Sequence, residues 1–147
     1  MPSTTIAQAN VQQAVPFFRV HDLERSLRFY VDEVGFQMTR DWVEDGRRRW
    51  CWLELGGAGM MIEEFRRDGR HRNVPEATVG LGVTIAFICR DALVFYREIE
   101  ARGGSATRPF VGNGMWVTEL VDPDGYHLLF ESPTDVAEET IFTDELH

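Results

Sequence analysis

VTELVDPDGYHLLFES, Val117 to Ser132, is the stretch whose reading decides the fold. Two short runs rich in β-branched and apolar residues flank Asp122-Pro123-Asp124-Gly125. Asp at the first turn position, Pro at the second and Gly at the last are the preferences of a type I turn, because Pro presets φ near about −65° and Gly tolerates positive φ. The stretch therefore reads as a β-hairpin, and the chain before it repeats, twice, a layout ending in such a hairpin.

Working outward, AVPFFRV (14–20) reads as a strand, and Asp22 offers an N-cap to a helix whose Leu23, Leu27, Tyr30, Val31 and Val34 recur at helical spacing. Gly35 stands where a left-handed residue ends that helix. FQMTRDWVE (36–44) and RRRWCWLEL (47–55) are strands joined by the two-residue hairpin signal Asp45-Gly46. The Gly56-Gly57-Ala58-Gly59 turn leads to the strand MMIEEF (60–65). Residues 66–81 are polar, lack a period and read as a linker loop.

The order then repeats. GVTIAFIC (82–89) is a strand, Asp91 caps a helix with apolar face Ala92, Phe95, Tyr96 and Ile99, and Gly103-Gly104 ends it. A strand around 107–111 reaches Asn113-Gly114, MWVTELV (115–121) follows, and YHLLFES (126–132) closes the unit. The expected organisation is one structural domain of class α+β. Two tandem β-α-β-β-β modules, 14–65 and 82–132, form curved mixed sheets around a cleft, with an arm at 1–13 and an acidic tail at 133–147. Ser132-Pro133 offers the start of a short helix in that tail, Pro being favoured at the first helical position.

Composition narrows the function classes. The net charge of −9 disfavours nucleic acid, whose binding rests on neutralising phosphates. No apolar run approaches the ~20 residues of a membrane span, and the N-terminus lacks the basic and apolar regions of a signal peptide, so a cytoplasmic protein is expected. Cys51 and Cys89 lie in apolar strand-like runs without a CxxC and read as buried free thiols. No P-loop, GxGxxG or nucleophile elbow appears, which leaves nucleotide and nucleophilic chemistries unsupported. A cleft lined by both modules is the default ligand site.

The run DLERSLRFYVDEVGF (22–36), the hairpin DPDGYHLLFESP (122–133) and the paired modules together resemble the vicinal oxygen chelate superfamily over residues 14–133. That superfamily includes glyoxalase I, extradiol dioxygenases, fosfomycin-resistance enzymes and bleomycin-resistance proteins. The resemblance implies, for its metal-dependent members, His and Glu ligands on four cavity-lining strands. These positions fall on Val15, Glu63, Thr84 and Leu129. Only Glu63 is a ligand-type side chain, and a catalytic metal site generally takes about three protein ligands. The resemblance thus implies a protein without a metal cofactor, closest in character to the bleomycin-resistance proteins. A displaced set, Glu63, His127 and Glu131, is the alternative that would hold one divalent metal ion in a lyase, isomerase or dioxygenase.

Aromatic residues supply the rest of the expected site. Trp50 and Trp52 share one strand face with Glu54, while Cys51, Leu53 and Leu55 share the other, which suits packing on a helix. Phe17, Phe110 and Trp116 are expected to join the tryptophans around the cleft, with Glu63, His127 and Glu131 as polar groups. Such a platform suits a flat, drug-like organic ligand. Without a metal, Glu63 must be solvated, paired, protonated or matched by a cationic ligand group, and the acidic net charge favours the last. A homodimer is expected, with both terminal arms lying on the partner.

Overall fold

A computed structural model describes residues 9–144 of the chain. Its elements follow the duplicated order: β1 (Phe17–Val20), α1 (Leu23–Leu27) continuing as a π-helical segment Arg28–Val34, β2 (Gln37–Glu44), β3 (Arg47–Leu55), β4 (Ala58–Glu64), β5 (Thr84–Ile88), α2 (Ala92–Ala101), β6 (Thr107–Gly112), β7 (Met115–Val121) and β8 (His127–Pro133). They form two four-stranded mixed sheets, β1-β4-β3-β2 and β5-β8-β7-β6, an α+β fold of tandem modules. In each sheet the first and last strands of the module pair in parallel and the remaining pairs are antiparallel.

Local chemistry sets the boundaries. Asp22 and Asp91 both cap their helices, Asp22 accepting from the Arg25 N–H and Asp91 from those of Leu93 and Val94. The Tyr30 carbonyl accepts from both Gly35 and Phe36, which closes the wide turn at the end of the first helix. Asp45-Gly46 and Asn113-Gly114 all take positive φ, as a two-residue hairpin turn demands. The Gly125 N–H donates to the Asp122 carbonyl at 3.0 Å and closes the turn of the defining hairpin.

Several expectations are corrected. The opening strands start later than expected, at Phe17 and Thr84, and the glycine turn contracts to Gly56-Gly57 because Ala58 and Gly59 already pair with β3. No helix follows Pro133 among the described residues. Residues 134–144 instead strap the second module: Ile141 bridges to Phe110, the Phe142 N–H donates to the Pro109 carbonyl, and Phe142 is 2% exposed among Ala92, Tyr96, Val111 and Trp116. This part of the tail lies on its own chain. Of the expected N-terminal arm, residues 1–8 lie outside the described residues, and 9–13 are exposed.

The main core lies between the helices and the sheets and is continuous across both modules. Val20, Leu23, Tyr30, Phe36, Leu53 and Ile62 from the first half share it with Leu128 and Phe130 from the second. The turn between β7 and β8 meets β1 here. Phe18 stacks on Tyr126 at 4.0 Å and 5°, and the Tyr126 hydroxyl donates to the Arg19 carbonyl.

The internal symmetry is close enough to match residues. Taking the caps Asp22 and Asp91 as equivalent, Val15 matches Thr84, Phe18 matches Phe87 and Arg19 matches Ile88. The parallel registers Phe17 to Met61 and Ala86 to Leu129 then match Met61 with Leu129, Glu63 with Glu131 and Glu64 with Ser132. Function within the frame supports the match: Glu64 accepts from the Leu23 N–H and Ser132 from the Ala92 N–H, so each module's last strand satisfies its own helix start.

Glu64 also meets Arg47 at 2.6 Å and Arg49 at 3.3 Å. Burial pushes its carboxyl up, but the hydrogen bonds from Arg47 and Leu23 and the arginine charges outweigh that and leave it below its ordinary value. The stabilisation is therefore present above the ordinary value of 4.5 and is lost as the pH falls through the lowered folded value. Glu64→Gln should cost about 1–2 kcal/mol at neutral pH and much less near pH 3. Thermal melts of both proteins across that range check this, and a pH-independent difference would contradict it.

Candidate functional site

The face of each sheet turned away from the helices is the open face. On the first sheet the cross-strand registers put Trp50 opposite Glu63, Trp52 and Phe17 opposite Met61, and Arg19 opposite Glu63. Phe17, Trp50, Trp52 and Glu63 thus come together on one surface, as the sequence suggests. Cys51 and Leu53, on the alternate positions, are fully buried under the helix.

Trp52 is held from three sides. Its indole N–H donates to Glu54 at 2.8 Å, and its ring lies over Gly59, where a Cβ would stand 2.8 Å from the indole carbon Cζ2. The Arg40 guanidinium lies 5.2 Å from the Trp52 ring and 5.8 Å from that of Trp50. Contacts of this kind contribute about 0.5–1 kcal/mol at exposed sites. No carboxylate pairs with Arg40 among the described residues.

Glu63 corrects the expectation of a carboxylate waiting for a cation. Arg19 reaches it at 3.0 Å across the parallel strands and also lies over the Phe17 ring. Arg40, set over both tryptophans, is the cation on this face that no carboxylate pairs with among the described residues. The hairpin register hides this arginine from a sequence reading. An unbroken β2–β3 ladder would turn Arg40 and Trp42 toward the helix, in phase with Met38. A register shift between Met38 and Arg40 and another between Trp42 and Val43 move Arg40 opposite Trp52 and Trp42 opposite Trp50.

On the second sheet, His127, Leu129 and Glu131 share the open face with Val117, Glu119, Val121 and Phe110. His127 Nδ1 lies 3.0 Å from Glu119 Oε2, a partner the sequence did not single out although it stands opposite Leu129. Trp116 is not brought to this surface. It sits on the helix side at 7% exposure, edge-on to Phe142, because the face shared by Val117 and Glu119 excludes its neighbour in sequence. Glu63, His127 and Glu131 are not assembled either. Among the described residues no group of three or more His, Cys, Asp or Glu side chains is placed to hold a metal ion.

The thiols are free and poorly suited to nucleophilic work. Cys51 is fully buried, and burial pushes its thiol up to about 12; burial also raises that of Cys89.

Comparison with known proteins places this geometry. Lactoylglutathione lyase of Haemophilus influenzae is 29% identical over 125 residues, covering 76% of this chain and 85% of that protein. Lactoylglutathione lyase of Arabidopsis thaliana is 27% identical over 126 residues, and the match spans 80% of this chain but only 43% of the plant protein. Among solved structures, TioX from Micromonospora superposes with a TM-score of 0.64 at 18% identity, covering 84% of this chain and 99% of that one. TnmS3, an antibiotic binding protein from Streptomyces, gives 0.59 at 20% identity, covering 86% and 100%. The matching family model spans residues 9–130, and the chain belongs to the Glyoxalase/Bleomycin resistance protein/Dioxygenase superfamily.

Proposed function

We propose that the protein binds and sequesters a planar, drug-like aromatic molecule on the open face of its first sheet, without a metal. The observation that carries this reading is the fixed aromatic surface of Trp50, Trp52 and Phe17, where Glu54, Gly59 and Arg40 hold Trp52 in place before any ligand arrives. The internal register supports metal independence. Leu129 is matched by Met61, so the positions related by symmetry are Val15, Met61, Thr84 and Leu129, and none of these side chains is a His, Cys, Asp or Glu. The fold shared with an antibiotic binding protein is in keeping with it.

The first sheet's open face is a surface rather than an enclosed pocket, with Phe17 42% and Trp42 47% exposed. A homodimer in which a second copy covers that face would supply the other wall of the cleft. The place of action is the cytoplasm.

The competing reading is a metal-dependent lyase, isomerase or dioxygenase with one divalent ion, although its expected ligands Glu63, His127 and Glu131 are not brought together among the described residues. The lactoylglutathione lyase relatives favour it. Elemental analysis after metal-supplemented expression separates the two. Sequestration without a metal gives no stoichiometric zinc, nickel, manganese or iron; about one ion per chain, in keeping with the ligand count of a catalytic site, supports the enzyme.

A further inference from the structure

The two seams where each module's last hairpin meets the other module are equivalent by the internal symmetry, yet only one is filled. At the first seam the turn Asp122–Tyr126 docks on β1 and α1. Tyr126 lays its ring on Phe18 and donates its hydroxyl to the Arg19 carbonyl at 2.9 Å, on the side of β1 that faces away from β4. At the second seam the corresponding turn is Leu55–Ala58. It is one residue shorter, and Ala58 stands where Tyr126 stands. The tyrosine ring has no counterpart.

A cavity of about 500 Å³ opens at that place. Its lining includes the matched residues themselves: Ala58 for Tyr126, Phe87 for Phe18 and Ile88 for Arg19. Phe95 and Phe130 complete an apolar floor; their rings lie 4.2 Å apart, and that of Phe130 is 4.7 Å from Phe87. The strand alternation that aims the Arg19 carbonyl away from β4 aims the Ile88 carbonyl away from β8, since the hydrogen bonds to β8 use the Val83 carbonyl and the Cys89 N–H. The second seam therefore offers an aromatic floor and an edge carbonyl in the arrangement that holds a phenol at the first.

We propose that this cavity is a second small-molecule site, separate from the open face, and that it takes a small phenol. The ring packs against Phe87 in the place Tyr126 takes on Phe18, and the hydroxyl donates to the Ile88 carbonyl.

The test uses the full chain titrated with p-cresol and with its methyl ether, 4-methylanisole, followed by calorimetry or amide chemical shifts. For a ligand of this size, p-cresol should bind with a dissociation constant of about 1 mM or lower. The ether, which has no proton to donate, should bind about tenfold more weakly. Ala58→Tyr restores the missing ring and should abolish cresol binding. Ala58→Leu fills part of the space and should weaken it by about fivefold or more, so the test survives if the tyrosine variant misfolds, which its melting curve reports. Trp52→Ala, on the open face, should leave cresol affinity unchanged, so failure at this cavity is distinct from failure of the open-face site. Equal affinity for cresol and its ether, cresol binding indifferent to both Ala58 variants, or no cresol binding at about 10 mM would overturn the proposal. Cresol-driven dissociation of a dimer in light scattering would overturn it too, because a second copy would then occupy the cavity.

Discussion

Asp122→Ala is expected to destabilise the protein by about 3–5 kcal/mol, which for a chain of this size removes much of its net stability. Asp122 is 3% exposed and its carboxylate serves three donors: the Tyr30 hydroxyl at 2.8 Å, the Asp124 N–H at 2.8 Å and the Tyr126 N–H at 2.9 Å. Truncation strands all three in a buried setting, at about 1–3 kcal/mol each before relaxation. It also uncouples the modules, since Tyr30 belongs to the first helix and Asp122 to the last hairpin. Burial and the neighbouring carboxylate hold the Tyr30 hydroxyl well above the ordinary phenol value, so it stays a donor. Asp122→Asn keeps the shape and one acceptor oxygen and should cost less than the alanine change.

The pH dependence has a definite sign. Burial raises the Asp122 carboxyl above its ordinary 3.8, against the pull of its three hydrogen bonds. Its share of the stability is therefore full below the ordinary value and declines as the pH rises through the folded one. The penalty of Asp122→Asn should accordingly be larger near pH 3 than near pH 7. Urea melts of the three proteins at both pH values check magnitude and sign. An alanine variant within about 1 kcal/mol of the parent would show that the DPDG turn does not lock the modules.

The second large effect concerns binding. Trp52→Ala should weaken the affinity of the open face for planar, drug-like aromatic ligands by about 1–3 kcal/mol, roughly fivefold to 150-fold, because ring stacking and apolar burial are lost together. The expectation is specific to this residue. Trp52 is hydrogen-bonded through its indole N–H, seated over a glycine and covered by Arg40, so it meets the ligand with little ordering left to do. Glu63→Gln should change affinity little, since Arg19 already satisfies the carboxylate. A screen in which every ligand binds Trp52→Ala as tightly as the parent would remove the site from this face.

The fold was legible because its punctuation is local. Asp22 and Asp91 as caps, Asp45-Gly46 and Asn113-Gly114 as tight turns, and DPDG as the closing turn each act within a few residues, and each takes its expected conformation. The shared face of Trp50, Trp52 and Glu63 followed from strand alternation and cross-strand pairing. What escaped depended on distant or irregular features. The register shifts that bring Arg40 onto the tryptophans leave no mark in a period-two pattern. Trp116 looked available because β7 carries apolar residues on both faces; its cover, Phe142, comes from a tail with no periodicity of its own. The Arg19–Glu63 pair joins strands far apart in sequence, and only the parallel register reveals it.

The most direct test of the central claim, aromatic capture without a metal, is a tryptophan-fluorescence titration of chelator-stripped protein with the planar aromatic compounds found to bind it, repeated after adding back zinc, nickel, manganese and iron one at a time. Stripped protein is predicted to bind with undiminished affinity and a clear change in emission, and added metal to make no difference. Affinity that disappears on stripping and returns with one of the metals would contradict it.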